Sequence, residues 1–120
     1  MSFKFEKLEV WQDSIEIGYQ VHLVTIKFPK DELYVLTPQI KHAVDSISLN
    51  IAEGSTGQTN AEFSKFLGYA IRSAIEVVSC LFIARKRKII NEEEFQNLYK
   101  DLEVLVKKIQ ALRRSLDTRK

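Results

Sequence analysis

This sequence predicts an all-α fold, an antiparallel up-down-up-down four-helix bundle, and three observations predict it. Apolar residues recur at steps of three and four along most of the chain, with no alternating pattern that would suit a strand. Only four Gly and two Pro interrupt the 120 residues, so the elements are long. Helix-breaking signals fall near residues 28, 54 and 88 and leave short connections, which force successive helices to run antiparallel. A chain of this length is about one domain, able to bury roughly two thirds of its unfolded surface around a single core. Four helices, over about residues 6–28, 38–54, 60–88 and 92–117, account for nearly all of it.

The first helix carries Leu8, Trp11, Ile15, Tyr19, His22 and Ile26 at helical spacing, and Val10, Ile17, Val21, Val24 and Phe28 widen that face. Phe28-Pro29 stops it, because proline disfavours the helical conformation in the residue before it. Thr37 and Pro38 suit the N-cap and first position of the second helix. Ile40, Ala43, Val44, Ile47 and Ile51 form one face of that helix, and Gly54 stands where a left-handed residue would end it.

The third helix opens on Thr59-Asn60-Ala61-Glu62, a capping box. One stripe holds Phe63, Leu67, Ala70, Ala74, Val77, Leu81 and Ala84; a second holds Phe66, Ile71, Ile75, Val78 and Phe82. One bundle core cannot cover both, so the second stripe predicts an interface with another subunit. Between Phe66 and Ala84 only Arg72 and Glu76 are charged, and they are spaced to pair with each other. A membrane span would bury both at about 2.5–3.5 kcal/mol each, and the other helices are amphipathic, so no membrane is expected. Asn91-Glu-Glu-Glu94 caps the fourth helix, in which Phe95, Leu98, Leu102, Leu105, Ile109, Leu112 and Leu116 make an unbroken seam.

Composition excludes disorder, with 45% apolar and 28% charged residues. The single Cys80 cannot close an intrachain disulfide, and the first residues lack a signal-peptide core, so a cytoplasmic setting is expected. The net charge of +2 says nothing about nucleic acid by itself. Its distribution says more. Arg85, Lys86, Arg87 and Lys88 end the third helix, and Lys107, Lys108, Arg113, Arg114, Arg119 and Lys120 crowd the end of the fourth. Such clusters offset helix dipoles, and repeated around an oligomer they form circles of charge able to track phosphates.

No catalytic constellation, metal site or cofactor is expected. Gly54 and Gly57 are two residues apart and no Lys follows, so the Gly-Ser-Thr-Gly run reads as a turn and not a phosphate loop. His22 and His42 lack the acidic partners of a di-iron bundle site; His22 reads as a core-edge residue and His42 as a surface one. Cys80 reads as a buried, inert thiol. Asn50 and Glu53 stand out: Asn50 extends the apolar stripe of the second helix, and a buried amide must find partners, so a hydrogen bond to a neighbouring helix or connection is expected.

Three segments resemble a known family. FEKLEVWQ from Phe5, FPKDELYVLTPQIKHAVDSISLNIAEG from Phe28 and FSKFLGYAIRSAIE from Phe63 are similar to the bacterial four-helix-bundle proteins first noted as products of intervening sequences in 23S ribosomal RNA genes. The resemblance implies a cytoplasmic homo-oligomer, a pentameric ring above other forms, with Asn50, Glu53 and Gly54 as the family's recognisable word. It also implies kinship with accessory proteins of diversity-generating retroelements, which bind a reverse transcriptase and its RNA. The expected function is therefore a non-enzymatic oligomer that contacts RNA or DNA through its basic helix ends. The alternative is an oligomeric adaptor for a protein partner without nucleic-acid contact.

Overall fold

In the computed structural model, which describes residues 2–117, four helices pack against one another. They are α1 (Glu9–Thr25), α2 (Leu36–Ser55), α3 (Asn60–Lys86) and α4 (Glu92–Leu116), with single 3-10 turns at Lys4–Lys7 and Lys30–Glu32. No strand occurs among the described residues. α1 packs on α2 and α4, and α3 packs on the same two helices, so a single apolar core runs down the middle.

α4 carries its seam inward: Phe95, Leu98, Leu102, Leu105 and Ile109 are buried, with Leu112 and Leu116 packed at its end. Its start is capped reciprocally, the Glu94 amide donating to Asn91 Oδ1 at 2.7 Å and the Asn91 amide to Glu94 Oε1 at 3.0 Å. α3 is capped by half of such a box, since the Glu62 amide donates to Thr59 Oγ1 at 3.0 Å and no reciprocal bond forms among the described residues. By length and composition α3 could cross a membrane, with a mean hydropathy of 1.7 in its most apolar window. Its Leu67, Ala70, Ala74, Val77, Leu81 and Ala84 are instead fully buried among the other helices.

Three details differ from the sequence reading. α1 centres its buried side on the residues expected only to widen its apolar face: Val10, Ile17 and Val21 are buried, while Ile15, Tyr19, His22 and Ile26 are exposed. The short β-branched residues sit beside small polar ones, Ser14 and Thr25, whose hydroxyls donate to the Trp11 and His22 carbonyls one turn back, and this lets the helix approach its neighbours. α2 begins at Leu36 with Val35 as its cap, not at Thr37, because burying Leu36 extends the helix by a turn's edge. Pro38 still lies in the first turn, where its missing amide is not needed.

Gly54, the third, is not left-handed; among the described residues no glycine has a positive φ. It sits inside α2 because a Cβ there would lie 2.5 Å from the Cβ of Phe66, so α2 and α3 cross in near backbone contact. The left-handed position belongs to Lys88 (φ 60°), which closes α3 as the Ile89 amide donates to the Ala84 carbonyl at 2.8 Å.

Candidate nucleic-acid interface

The eight basic residues at the helix ends divide into two equal groups. Arg85 lays its guanidinium 3.8 Å from the Phe95 ring centroid and 5.1 Å from that of Phe82, with Glu92 at 3.5 Å. Arg87 reaches both carboxylate oxygens of Glu32 at 3.1 Å, and Glu32 is itself buried. Lys108 donates to Asp13 at 2.8 Å and Glu9 at 2.9 Å, and these carboxylates hold its ammonium above the usual lysine range. Arg113 lies flat over Gly68, its guanidinium carbon 3.5 Å from where a Cβ would stand, and reaches Ser64 Oγ at 3.3 Å. These four side chains are engaged within the chain. Lys86, Lys88, Lys107 and Arg114 are exposed and make no ion pair among the described residues. Arg119 and Lys120 lie outside the described residues.

Glu32 was invisible to periodicity. It sits in the connection before α2, and only the tertiary approach of Arg87 makes it a buried partner. The connection's run of acidic and apolar residues, Asp31-Glu-Leu-Tyr-Val35, was the sole available signal.

The Asn50, Glu53 and Gly54 word separates into three roles. Asn50 is half-buried and its amide donates to the Ser46 carbonyl of its own helix at 2.8 Å, not to a neighbouring helix. Glu53 is exposed. Gly54 alone joins two helices, through its contact with Phe66. The polar links between α2 and α3 are elsewhere, with the Ser46 and Ser73 hydroxyls 2.5 Å apart and Gln39 donating to Glu76 at 2.6 Å. Glu76 thus turns to α2, and Arg72 is left without the ion pair its spacing suggested.

The second stripe of α3 also divides. Ile71 is buried in the bundle core, contrary to its expected place on an outer face, because it lies one residue from Ala70 and shares the buried side of α3. Phe66 is half-buried over Gly54 and stacks edge-on against Tyr69 at 5.4 Å. Val78 is half-buried against the core, while Ile75 and Phe82 remain on the outer side, 58% and 46% exposed, and Phe82 meets Phe95 and Tyr99 edge-on at 5.0 and 6.1 Å.

His42 lines an open groove of about 480 Å³ with Gln39, Ser46 and Glu76, and His22 is exposed, not at the core edge. Among the described residues no group of three or more His, Cys, Asp or Glu side chains converges as metal ligands would. Burial, and then the Glu76 charge, push the Cys80 thiol above its usual range, which disfavours the thiolate.

A core shared by four helices, with paired and unpaired cations around the helix ends, defines a small all-α bundle protein. The chain belongs to the 23S rRNA-intervening sequence protein family, whose model matches residues 6–111. It is similar to a protein of unknown function from the S23 ribosomal protein family of Bacteroides thetaiotaomicron VPI-5482, whose crystal structure was solved at 1.70 Å. The two superpose with a TM-score of 0.79 at 24% identity, over 87% of this chain and 97% of that one, which shows a common fold. No curated protein matches the chain.

Proposed function

We propose that this protein is a non-enzymatic, cytoplasmic, homo-oligomeric up-down-up-down bundle that binds RNA as an accessory factor, each chain forming a single domain of a ring, a pentamer above other forms. One observation carries the RNA reading: Lys86 and Lys88 at one end of the bundle, with Lys107 and Arg114 toward the other, have no acidic partner among the described residues. Dipole compensation alone does not need long cations held free in solvent. So few free cations are weak in one chain, and a ring multiplies them along a phosphate path.

Fluorescence anisotropy with a labelled single-stranded RNA tests the reading. Affinity should fall with salt at a logarithmic slope of about −0.7 per neutralised phosphate, and the double variant Lys86→Glu, Lys88→Glu should weaken binding several-fold while circular dichroism stays unchanged. Absence of binding at about 50 mM salt ends it.

The second reading, a protein adaptor, is favoured by a different observation. Half of the expected basic site is consumed by internal partners, while Leu33, Tyr34 and Val35 stand exposed beside α2, Tyr34 at 88%. A reverse transcriptase or another protein recovered in a pull-down after nuclease treatment would favour it.

A further inference from the structure

Two of the apolar surfaces left outside the core lie on opposite flanks of the bundle, because α1 and α2 form one edge and α3 and α4 the other. On the α1–α2 flank a groove of about 340 Å³, floored by Gly18, runs between Ile15, Tyr19 and His22 on one side and Lys41 and Asp45 on the other. On the α3–α4 flank Ile75 and Phe82 stand out as a ridge, bordered by Arg72 on α3 and by Glu103 on α4, one turn beyond Tyr99.

Contacts between the helices fix how these features line up along the bundle. Asp13 stands opposite Lys108 and Lys27 opposite Glu94, while Gly68 stands opposite Arg113 and Phe82 opposite Tyr99. Both ladders run through α4, and together they set Ile15 level with Ile75, Gly18 with Val78 and His22 with Phe82. The Ser46–Ser73 and Gly54–Phe66 contacts extend the comparison to α2. They place Lys41 level with Val78, as Glu103 is, and Asp45 within one turn of Arg72. All four charged side chains are exposed, and none makes an ion pair among the described residues.

One flank therefore carries a cation above an anion beside a groove, and the other carries an anion above a cation beside a ridge, at matching heights. We infer that the α3–α4 ridge of one copy seats in the α1–α2 groove of the next, with Ile75 and Phe82 against Ile15, Tyr19 and the Gly18 floor, Arg72 facing Asp45 and Glu103 facing Lys41. The occupant is a second copy of this chain in the same orientation, because it presents the complementary charges in that order and register. The contact joins two different faces, so of two joined copies one retains a free groove and the other a free ridge, and the closed form of such an arrangement is a ring. The inference rests on the homo-oligomer reading above and adds to it which faces meet.

Two one-sided variants test it, both altered only at exposed or half-exposed positions. Ile15→Asp with Tyr19→Asp blocks the groove; Ile75→Asp with Ser79→Asp, Ser79 being exposed on α3 between Ile75 and Phe82, blocks the ridge. Light scattering should give a mass well above 13.9 kDa for the unaltered protein and 13.9 kDa for each variant alone, with helical circular dichroism retained. Mixed in equal amounts, the two variants should form a heterodimer and nothing larger, since one intact ridge then meets one intact groove. An unaltered protein that is monomeric overturns the oligomer reading and this inference together. An oligomeric protein whose mass survives either variant overturns the pairing of faces and leaves the oligomer standing, as does a mixture of two monomeric variants that fails to dimerise.

Discussion

The α2–α3 seam and the α1–α4 seam close the same core by different means. α2 and α3 share the most extensive contact in the bundle, and it is made by shape: Gly54 admits Phe66, small side chains recur at Ala43, Ala70 and Ala74, and only short hydroxyls meet at Ser46 and Ser73. α1 and α4 touch far less, and charge does much of the joining, through Lys27–Glu94 and through Lys108 with Glu9 and Asp13. Open grooves of about 350 and 310 Å³ lie along that seam, whereas the groove of about 480 Å³ on the α2–α3 side is confined to the end near Gln39 and Glu76. Close packing at Gly54 and the buried alanines is insensitive to salt and pH, whereas exposed ion pairs contribute little and depend on both. The bundle thus has a rigid half and a half that solvent conditions can loosen.

A cavity in the rigid half should have the largest effect. Ile47 is fully buried in α2, and Ile47→Ala should cost about 2–5 kcal/mol, read as a fall in the urea midpoint at unchanged slope. Gly54→Ala comes next. Alanine is the better helix former by about 1 kcal/mol, yet its Cβ cannot fit at 2.5 Å from that of Phe66, an overpacking that costs about 1–3 kcal/mol, so a net loss of up to about 2 kcal/mol is expected. A stabilised variant would show that α2 and α3 separate freely, and the contrast between the seams would fail.

The smallest effect belongs to the α1–α4 seam. The hydrogen bond from Lys27, then that from the Asn91 amide, hold the Glu94 carboxyl below its ordinary range. A carboxyl lowered on folding stabilises the native state above its unfolded pKa, and that contribution is lost as pH falls through the folded value. Glu94→Gln should therefore cost under about 1 kcal/mol at neutral pH, and the gap from the unaltered protein should close below about pH 4. A gap that persists at acid pH would mean that packing, not charge, holds this seam.

Much of this was legible in the sequence where a local signal had one reading. The α4 seam and its Asn91 cap needed only spacing and hydrogen-bond chemistry, and both lie where that chemistry puts them. The apolar face of α1 was too broad for local rules to centre it; which part of it is buried depended on how the helix approaches α2 and α4. The basic clusters were visible as composition, but which cations stay free was not. Arg87 and Arg113 are engaged by Glu32 and by the surface over Gly68, residues 55 and 45 positions away in the chain by number.

What the sequence determined by itself is the helical class, the element order and most of the buried face, because helix period and capping act over a turn or two and need no distant partner. What only the tertiary structure decided is how those faces are spent. Gly54 became a crossing point and not a helix end, Asn50 bonded its own helix, and Ile71 went to the core while Ile75 stayed outside. Each of those outcomes depends on the distance between two helix axes, a quantity no single helix encodes.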